Sequence, residues 1–187
     1  KKMTQNLAFS LTAFFVLPLS LTVCSPAIAQ IVPDGTLGSE SSTVKQDNIN
    51  GFPSDVIEGG AARGANLFHS FSEFNVGEGR GAYFANPAAI ENILSRVTGG
   101  NLSNILGTLG VLGNANLFFI NPNGIVFGPN ARLDLRGSFV ASTADSLLFE
   151  NGFEFSASNP QAPPLLTVDR WQSFVTVLAS GKRLVRG

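Results

Sequence analysis

Histidine and cysteine are the side chains that most readily suggest chemistry, and the 187-residue chain contains one of each, His69 and Cys24. A Cys–His dyad or a zinc site needs at least two such groups close together. A glycine-rich stretch, Gly77–Gly81, lacks the Lys-Ser/Thr pair of a phosphate-binding loop and predicts a turn instead. We therefore expect His69 to be structural, and we expect no catalytic residue, bound metal or cofactor.

Charged residues alternate with leucines in a second candidate for chemistry. Arg132, Asp134 and Arg136 flank Leu133 and Leu135. The alternation predicts a strand whose charged side chains point outward and whose leucines point inward. Acidic and basic groups on one strand face also occur in enzymes that cleave polysaccharides. The same pattern is typical of any solvated strand face, which is the interpretation that we prefer.

The N-terminus has the features of a secretory signal peptide. Two lysines precede the apolar stretch Leu7–Val23, which leads to the small residues Ala27 and Ala29. This order predicts a signal peptide at residues 1–29, cleaved before Gln30, and export by the Sec machinery. The apolar stretch is short and interrupted for a membrane anchor. A lipoprotein signal ending at Cys24 is disfavoured because the preceding residue, Val23, is β-branched.

Cleavage would remove 29 of 187 residues and leave 158, enough for one domain with its own core. Residues 30–187 contain no cysteine, so no disulfide is available to stabilise them. Their ten lysines and arginines face thirteen aspartates and glutamates, a net charge of −3. This balance argues against a nucleic-acid partner. A charged fraction of 13%, with 20 glycines and 16 phenylalanines, indicates sheets packed on both faces.

Short apolar segments separated by tight corners fill residues 102–149. One corner, Asn121-Pro122-Asn123-Gly124, has the residue types of a type I turn. Strands this short are typical of a solenoid, in which each strand pairs with the coils before and after it. The expected architecture is therefore a stack of β-coils.

Residues 86–100 admit two interpretations. Asn86 and Pro87 could start a helix, because Ile90, Leu94 and Val97 follow at helical spacing. The same residues could instead form a turn followed by a strand. Periodicity alone favours the helix.

The stretch from Asn92 to Thr143, "NILSRVTGGNLSNILGTLGVLGNANLFFINPNGIVFGPNARLDLRGSFVAST", resembles the secretion domain of filamentous haemagglutinin-like exoproteins. This domain is the N-terminal module of the two-partner secretion pathway of diderm bacteria. The resemblance extends from about Ile49 to Pro163. Asn121, Pro122, Asn123, Gly124 and Ile125 match the hallmark turn of the family.

The resemblance implies a right-handed parallel β-helix with an N-terminal cap and small extra-helical antiparallel strands. It also implies a strand, not a helix, at residues 93–98. Such a domain is not an enzyme. It acts as a secretion signal and folding nucleus that is recognised by the POTRA domains of an outer-membrane β-barrel transporter. We expect the protein to be secreted or displayed at the cell surface, with no stable membrane span after signal cleavage.

The resemblance also divides the chain. We assign residues 30–168 to the secretion domain, whereas residues 169–187 depart from the family pattern and are interpreted as the tail of a truncated or frame-disrupted exoprotein. Two alternatives stay open for function: an adhesin module that itself binds glycans or cells, and a polysaccharide-active enzyme. The turn at residues 121–125 could set coil geometry or contact the transporter directly.

Overall fold

The described residues lie almost entirely in β-strands and the turns that join them. The computed structural model describes residues 30–149 and 152–163 and the strands at 174–179 and 182–183. The strands are β1 (Ile31–Pro33), β2 (Ser42–Ile49), β3 (Phe52–Gly59), β4 (Ala61–Arg63), β5 (Asn66–Phe74), β6 (Gly81–Phe84), β7 (Asn92–Val97), β8 (Ser103–Ile105), β9 (Thr108–Val111), β10 (Asn116–Ile120), β11 (Ile125–Phe127), β12 (Arg132–Asp134), β13 (Phe139–Ser142), β14 (Ser146–Phe149), β15 (Glu154–Ser156), β16 (Phe174–Ala179) and β17 (Lys182–Arg183). A 3-10 turn lies at Gly38–Glu40. The predicted signal peptide and much of the predicted tail fall outside the described residues.

Successive coils of the chain build three parallel sheets. Sheet 1 contains β5, β7, β10 and β13 in that order, sheet 2 contains β3, β6, β9 and β12, and sheet 3 contains β8 and β11. Each strand pairs with the equivalent strand of the coil before it. About four coils form a β-solenoid, which confirms the predicted parallel β-helix.

Coil length varies along the stack. Asn66 and its partner in the next coil, Asn92, are 26 residues apart, and the following steps to Asn116 and Ser138 take 24 and 22 residues. Because the coils differ in length, the sequence has no fixed repeat period. The solenoid can be predicted only from the turn residues at its corners.

The strands of sheet 1 send alternate side chains to opposite faces. In β5, Leu67 and Phe71 point into the coil, whereas Phe68 points outward. Both faces are buried, since all three side chains are at most 3% exposed. Burial on both faces requires few charged residues, as the composition predicted.

A fourth sheet, which is antiparallel and lies outside the solenoid, covers the outer face of sheet 1. Strands β14, β15, β16 and β17 pair antiparallel in the order β15–β14–β16–β17. Phenylalanines and a leucine from this extra-helical sheet pack on outward side chains of sheet 1: Leu147, Phe149 and Phe155 against Phe68, Leu94 and Ile120. The predicted extra-helical antiparallel strands are therefore confirmed, and they supply the second half of the core.

The helix favoured by periodicity over residues 86–100 is wrong. The chain forms β7 there, in parallel register with β5 and β10. Ile93 and Val97 belong to the inner core, whereas Leu94 belongs to the outer one. Apolar residues on both faces of one strand produced the helical spacing.

Antiparallel strands close the N-terminal end of the solenoid. Strands β1 and β4 both pair with the edge of β5 that faces away from β7, and β2 pairs along the whole of β3. This arrangement confirms the predicted N-terminal cap. Capping removes an open sheet edge that could otherwise recruit another chain.

Leu133, in the last strand of sheet 2, was predicted to point inward but is not buried. It stacks in register on Leu109, which is fully buried, yet Leu133 is 49% exposed. No described strand pairs with the second edge of β12, so nothing among the described residues covers this side chain. Leu135, in contrast, packs against the inner core.

His69 is enclosed in the inner core, as expected for a structural residue. Its side chain is fully buried, Nδ1 lies 2.9 Å from Ser42 Oγ, and its ring stacks near Phe71. Nε2 has no hydrogen-bond partner among the described residues. Desolvation lowers the pKa of His69 from 6.5 to about 3.

The buried imidazole should make folding pH-dependent. Between pH 6.5 and 3 the unfolded chain binds a proton at this site that the folded chain does not, so the free energy of unfolding should fall by about 1.4 kcal/mol per pH unit on acidification. Urea unfolding of the wild type and of His69→Asn at pH 7, 5 and 4 measures this slope. The variant should show a shallower dependence, by roughly one proton. Equal slopes would contradict the assignment.

Candidate functional site

The corner at Asn121–Gly124 joins β10 of sheet 1 to β11 of sheet 3. The Gly124 amide donates to the Asn121 carbonyl at 3.1 Å, which closes a β-turn as the residue types predicted. Ile125, the first residue of β11, is half-buried and packs against the inner core. The five residues of the predicted motif therefore form one continuous corner.

Asn121 holds this corner onto the coil before it. Its side chain is fully buried, and Nδ2 donates to the Asn101 carbonyl at 3.0 Å and to Ser103 Oγ at 2.9 Å. Its Oδ1 accepts from the Asn123 amide at 2.9 Å. All polar groups of the Asn121 side chain are thus used inside the domain.

Asn123 is the exposed member of the motif. Its Nδ2 donates to the Gly99 carbonyl at 2.7 Å, which adds a third side-chain hydrogen bond from the corner to the coil before it. Gly99 itself must be glycine, because a Cβ there would lie 2.0 Å from the Ser72 carbonyl oxygen. The corners of three successive coils are therefore in close contact.

Beside the corner lies a polar surface groove of roughly 800 Å³. Its walls include Gln30, Glu73, Asn75, Asn101, Asn104 and Asn123. Asn101 Nδ2 donates to Glu73 Oε1 at 2.6 Å, and Asn75 Oδ1 accepts from the Asn104 amide at 2.9 Å. The groove offers amide donors and acceptors and one carboxylate.

Asparagine side chains of successive coils hydrogen-bond to one another in a ladder at the start of sheet 1. Asn92 Nδ2 donates to Asn66 Oδ1 at 3.0 Å, and Asn116 Nδ2 donates to Asn92 Oδ1 at 2.9 Å. These residues begin β5, β7 and β10. The ladder therefore fixes the start of each strand of sheet 1.

Asp134 and the neighbouring arginines do not form an acid–base cluster. Asp134 Oδ2 accepts from Tyr83 Oη at 3.0 Å, and both Arg132 and Arg136 are exposed. Burial, together with the Asp134 carboxylate, raises the pKa of Tyr83. Among the described residues, no three His, Cys, Asp or Glu side chains are close enough to hold a metal ion.

Of the residues predicted at the signal cleavage site, Ala27 and Ala29 lie outside the described residues. Gln30 is exposed, and its carbonyl accepts from the Asn75 amide at 2.9 Å. The first residue of the predicted mature chain is therefore already attached to the solenoid.

One known protein family matches most of the chain. Residues 29–176 match the family described as TPS secretion domain. The chain belongs to this family. A heme/hemopexin-binding protein of Haemophilus influenzae is 33% identical to the chain over 79 residues, which are 42% of the chain and 8% of that protein. The chain thus spans less than a tenth of the length of this relative.

As a TPS secretion domain, the chain is part of a two-partner secretion exoprotein. Membership implies an outer-membrane transporter as partner, and homologous exoproteins are secreted or found at the cell surface. In the described part of the chain, no helix has the length and apolar character needed to cross a membrane.

Replacement of Asn121 by aspartate tests how the corner of the TPS secretion domain is held. A carboxylate would place an acceptor against the Asn101 carbonyl and bury a charge, so the free energy of unfolding should fall by about 2–4 kcal/mol. Asn123→Asp is the matched control, because its side chain is exposed and should cost about 1 kcal/mol or less. Chemical denaturation of both variants measures the difference. Unchanged stability of Asn121→Asp would contradict the structural role.

Proposed function

We propose that this domain is the secretion signal and folding nucleus of its exoprotein, recognised in the periplasm by the POTRA domains of a dedicated transporter after Sec export. The observation that carries the proposal is the family match over residues 29–176, which includes the corner at 121–125 and its buried Asn121. The domain is not an enzyme and uses no cofactor in this proposal. Residues 1–29 act as the Sec signal, and residues 30–168 as the recognised unit.

We place recognition before folding. Asn121 is fully buried and all its polar groups are bonded within the folded domain, so a partner has no access to them once the coils close. An extended segment can instead add as a strand to a sheet edge of the transporter. In this order of events, the transporter recognises the unfolded chain. The turn at residues 121–125 then closes its coil after export.

Folding outside the cell would then bias movement outward. Each completed coil buries apolar side chains, at roughly 25 cal/mol per Å² of apolar surface. The absence of cysteine from residues 30–187 suits a route that a narrow pore restricts to an unfolded chain. The proposal therefore requires no nucleotide hydrolysis.

Binding to purified POTRA domains tests the proposal. The chain freshly diluted from urea should bind, whereas the folded chain should bind at least tenfold more weakly, because strand addition needs unpaired backbone. A cysteine-free unfolded protein of similar length is the control for non-specific binding. Absence of binding by the unfolded chain, or equal binding by the control, would overturn the proposal.

A second candidate function, adhesion by the domain itself, is favoured by a smaller cleft of about 310 Å³. Phe52, 55% exposed, and Arg132 line it together with Glu78 and Arg80. Arg80 Nη2 pairs with Asp55 Oδ1 at 3.3 Å, whereas its Nε is buried and has no hydrogen-bond partner among the described residues. An aromatic face with two guanidinium groups suits an acidic saccharide. Binding on an array of acidic glycans that Arg132→Ala abolishes and Arg136→Ala preserves would establish it.

Heme binding is not included in the proposal. The name of the Haemophilus influenzae relative states heme and hemopexin binding, but the match covers 8% of that protein. His69 is the one histidine of this chain, and it is fully buried.

A further inference from the structure

Two arginines, on the two strands that flank β5, are buried in the domain. Arg63, at the end of β4, is 3% exposed, and Arg96, in β7, is 0% exposed. A buried guanidinium is costly unless it is paired and its donors are bonded. The partners of these two side chains therefore report which parts of the chain must be in place when they are buried.

The first partners come from the N-terminal cap. Arg63 Nη1 and Nη2 donate to Glu40 Oε1 and Oε2 at 2.9 and 2.6 Å, a two-point pair. This pairing lowers the pKa of Glu40. The cap therefore supplies the countercharge for Arg63 from the residues next to β2.

Arg96 reaches a cap carboxylate through hydroxyl groups. Its Nη2 donates to Thr36 Oγ1 at 2.8 Å and its Nε to Ser70 Oγ at 2.9 Å. Both hydroxyls donate to Asp34, at 2.6 and 2.9 Å. Burial lowers the pKa of Arg96 to about 10, against the opposing effect of Asp34, so the side chain stays charged at neutral pH.

The remaining donors bind backbone far downstream. Arg96 Nη1 donates to the carbonyls of Ser156 and Gln161 at 2.9 and 3.1 Å, and its guanidinium lies 4.3 Å from the centre of the Phe155 ring. Arg63 Nη2 donates to the Pro163 carbonyl at 2.9 Å. These acceptors are 60, 65 and 100 residues away from the arginines that bind them.

We propose that Arg63 and Arg96 form a latch that joins the N-terminal cap to residues 154–163, so that the domain locks only when the chain as far as Pro163 is in place. A shorter stretch of chain leaves these guanidinium donors without the carbonyl acceptors of residues 156, 161 and 163. The cap, although it precedes the rest of the domain, is then completed last. Within the proposed secretion function, the latch sets the length of chain that must leave the transporter before the fold becomes irreversible.

The latch differs from simple packing of the extra-helical sheet. Phe155 packs on Phe68 and Leu94 in a buried cluster that also contains Leu37 and Ala61 of the cap, so apolar packing could couple the two segments without the arginines. The latch instead requires that this coupling depends on the guanidinium donors, so that it is lost when they are removed. The distinction is measurable in the purified chain, without any transporter, so its outcome is independent of the recognition proposal.

Native-state hydrogen exchange of the purified chain tests the latch. The amides of Val32 and Asp34 and those of residues 155–157 should have protection factors within about threefold of each other in the wild type. In Arg63→Met/Arg96→Met, whose side chains retain length but not donors, the two segments should separate by roughly tenfold or more. Arg132→Met, at an exposed position, should leave them matched.

Matched protection in the double variant, or protection that already differs by about tenfold in the wild type, would overturn the latch. The single variants Arg63→Lys and Arg96→Lys cover the case in which the double variant does not fold. Lysine keeps the charge but not the fork of donors. The latch predicts faster exchange at 155–157 in Arg96→Lys, and unchanged exchange there would reject it.

Discussion

Replacing Phe74 by alanine should lower the free energy of unfolding by about 3–5 kcal/mol. Its ring is fully buried at the centre of the inner core, with centroids 4.8 Å from Phe119, 5.2 Å from Phe71 and 5.9 Å from Phe84. Phe71, Phe74 and Phe84 lie in one coil, between residues 66 and 91, and Phe119 lies two coils later, so the cavity would weaken the stacking of the coils as well as β5. Urea unfolding monitored by circular dichroism measures the loss.

Phe52→Ala is the matched control for this prediction. Phe52 is also a phenylalanine at the end of a strand, but it is 55% exposed. Its removal should change the free energy of unfolding by about 0.5 kcal/mol or less. Similar losses in the two variants would show that the coils do not stack around an aromatic centre.

A disulfide between neighbouring coils should block secretion. Asn104 in β8 and Val126 in β11 are paired in parallel register and both exposed, so cysteines there would be close enough to bond. The bond would close a loop through 22 residues and force more than one strand of chain through the transporter at once. We expect the secreted fraction of Asn104→Cys/Val126→Cys to fall roughly tenfold under oxidising conditions, since the disulfide keeps the loop closed even in the unfolded chain.

Reduction separates this effect from damage to the fold. Growth with a reducing agent should restore secretion of the double variant, whereas each single-cysteine variant should be secreted normally. The measurement is the ratio of protein in the medium to protein in the periplasm, with the disulfide assessed by gel mobility. Normal secretion of the fully oxidised form would reject passage as an unfolded chain.

Local chemistry explains the parts of the fold that the sequence predicted. The turn at 121–124 depends on asparagine, proline and glycine at adjacent positions, and such preferences act within four residues. The β-coils were predicted because the short apolar segments between the corners are typical of a solenoid. The corner was therefore placed correctly, although the burial of Asn121 and its bonds to Asn101 and Ser103 were not evident.

Contacts between distant residues explain what the sequence did not predict. Residues 86–100 looked helical because the outer sheet, formed about 50 residues later, buries Leu94 on the face opposite Ile93. Arg63 and Arg96 gave no signal, since their acceptors lie 60 to 100 residues away. Leu133 was predicted to point inward, but its burial also requires a strand on the second edge of β12, and no described strand pairs there.

The distribution of polar groups links the fold to its proposed use. The side-chain amides of Asn92, which is half-buried, and Asn121, which is buried, bind the backbone or side chains of the preceding coil, so each coil is a template for the next. A chain that emerges from N- to C-terminus meets its templates in the correct order. This directionality is the physical basis on which a secretion domain could drive its own export.

Secretion in the presence and absence of the partner transporter is the most direct test of the account. The chain is expressed with its N-terminal segment in a diderm host that lacks such a transporter, with and without the cognate transporter supplied from a second plasmid, and assayed in periplasm and medium. We expect the protein in the medium only when the transporter is present, and in the periplasm otherwise. Equal amounts in the medium under both conditions would contradict the proposed role.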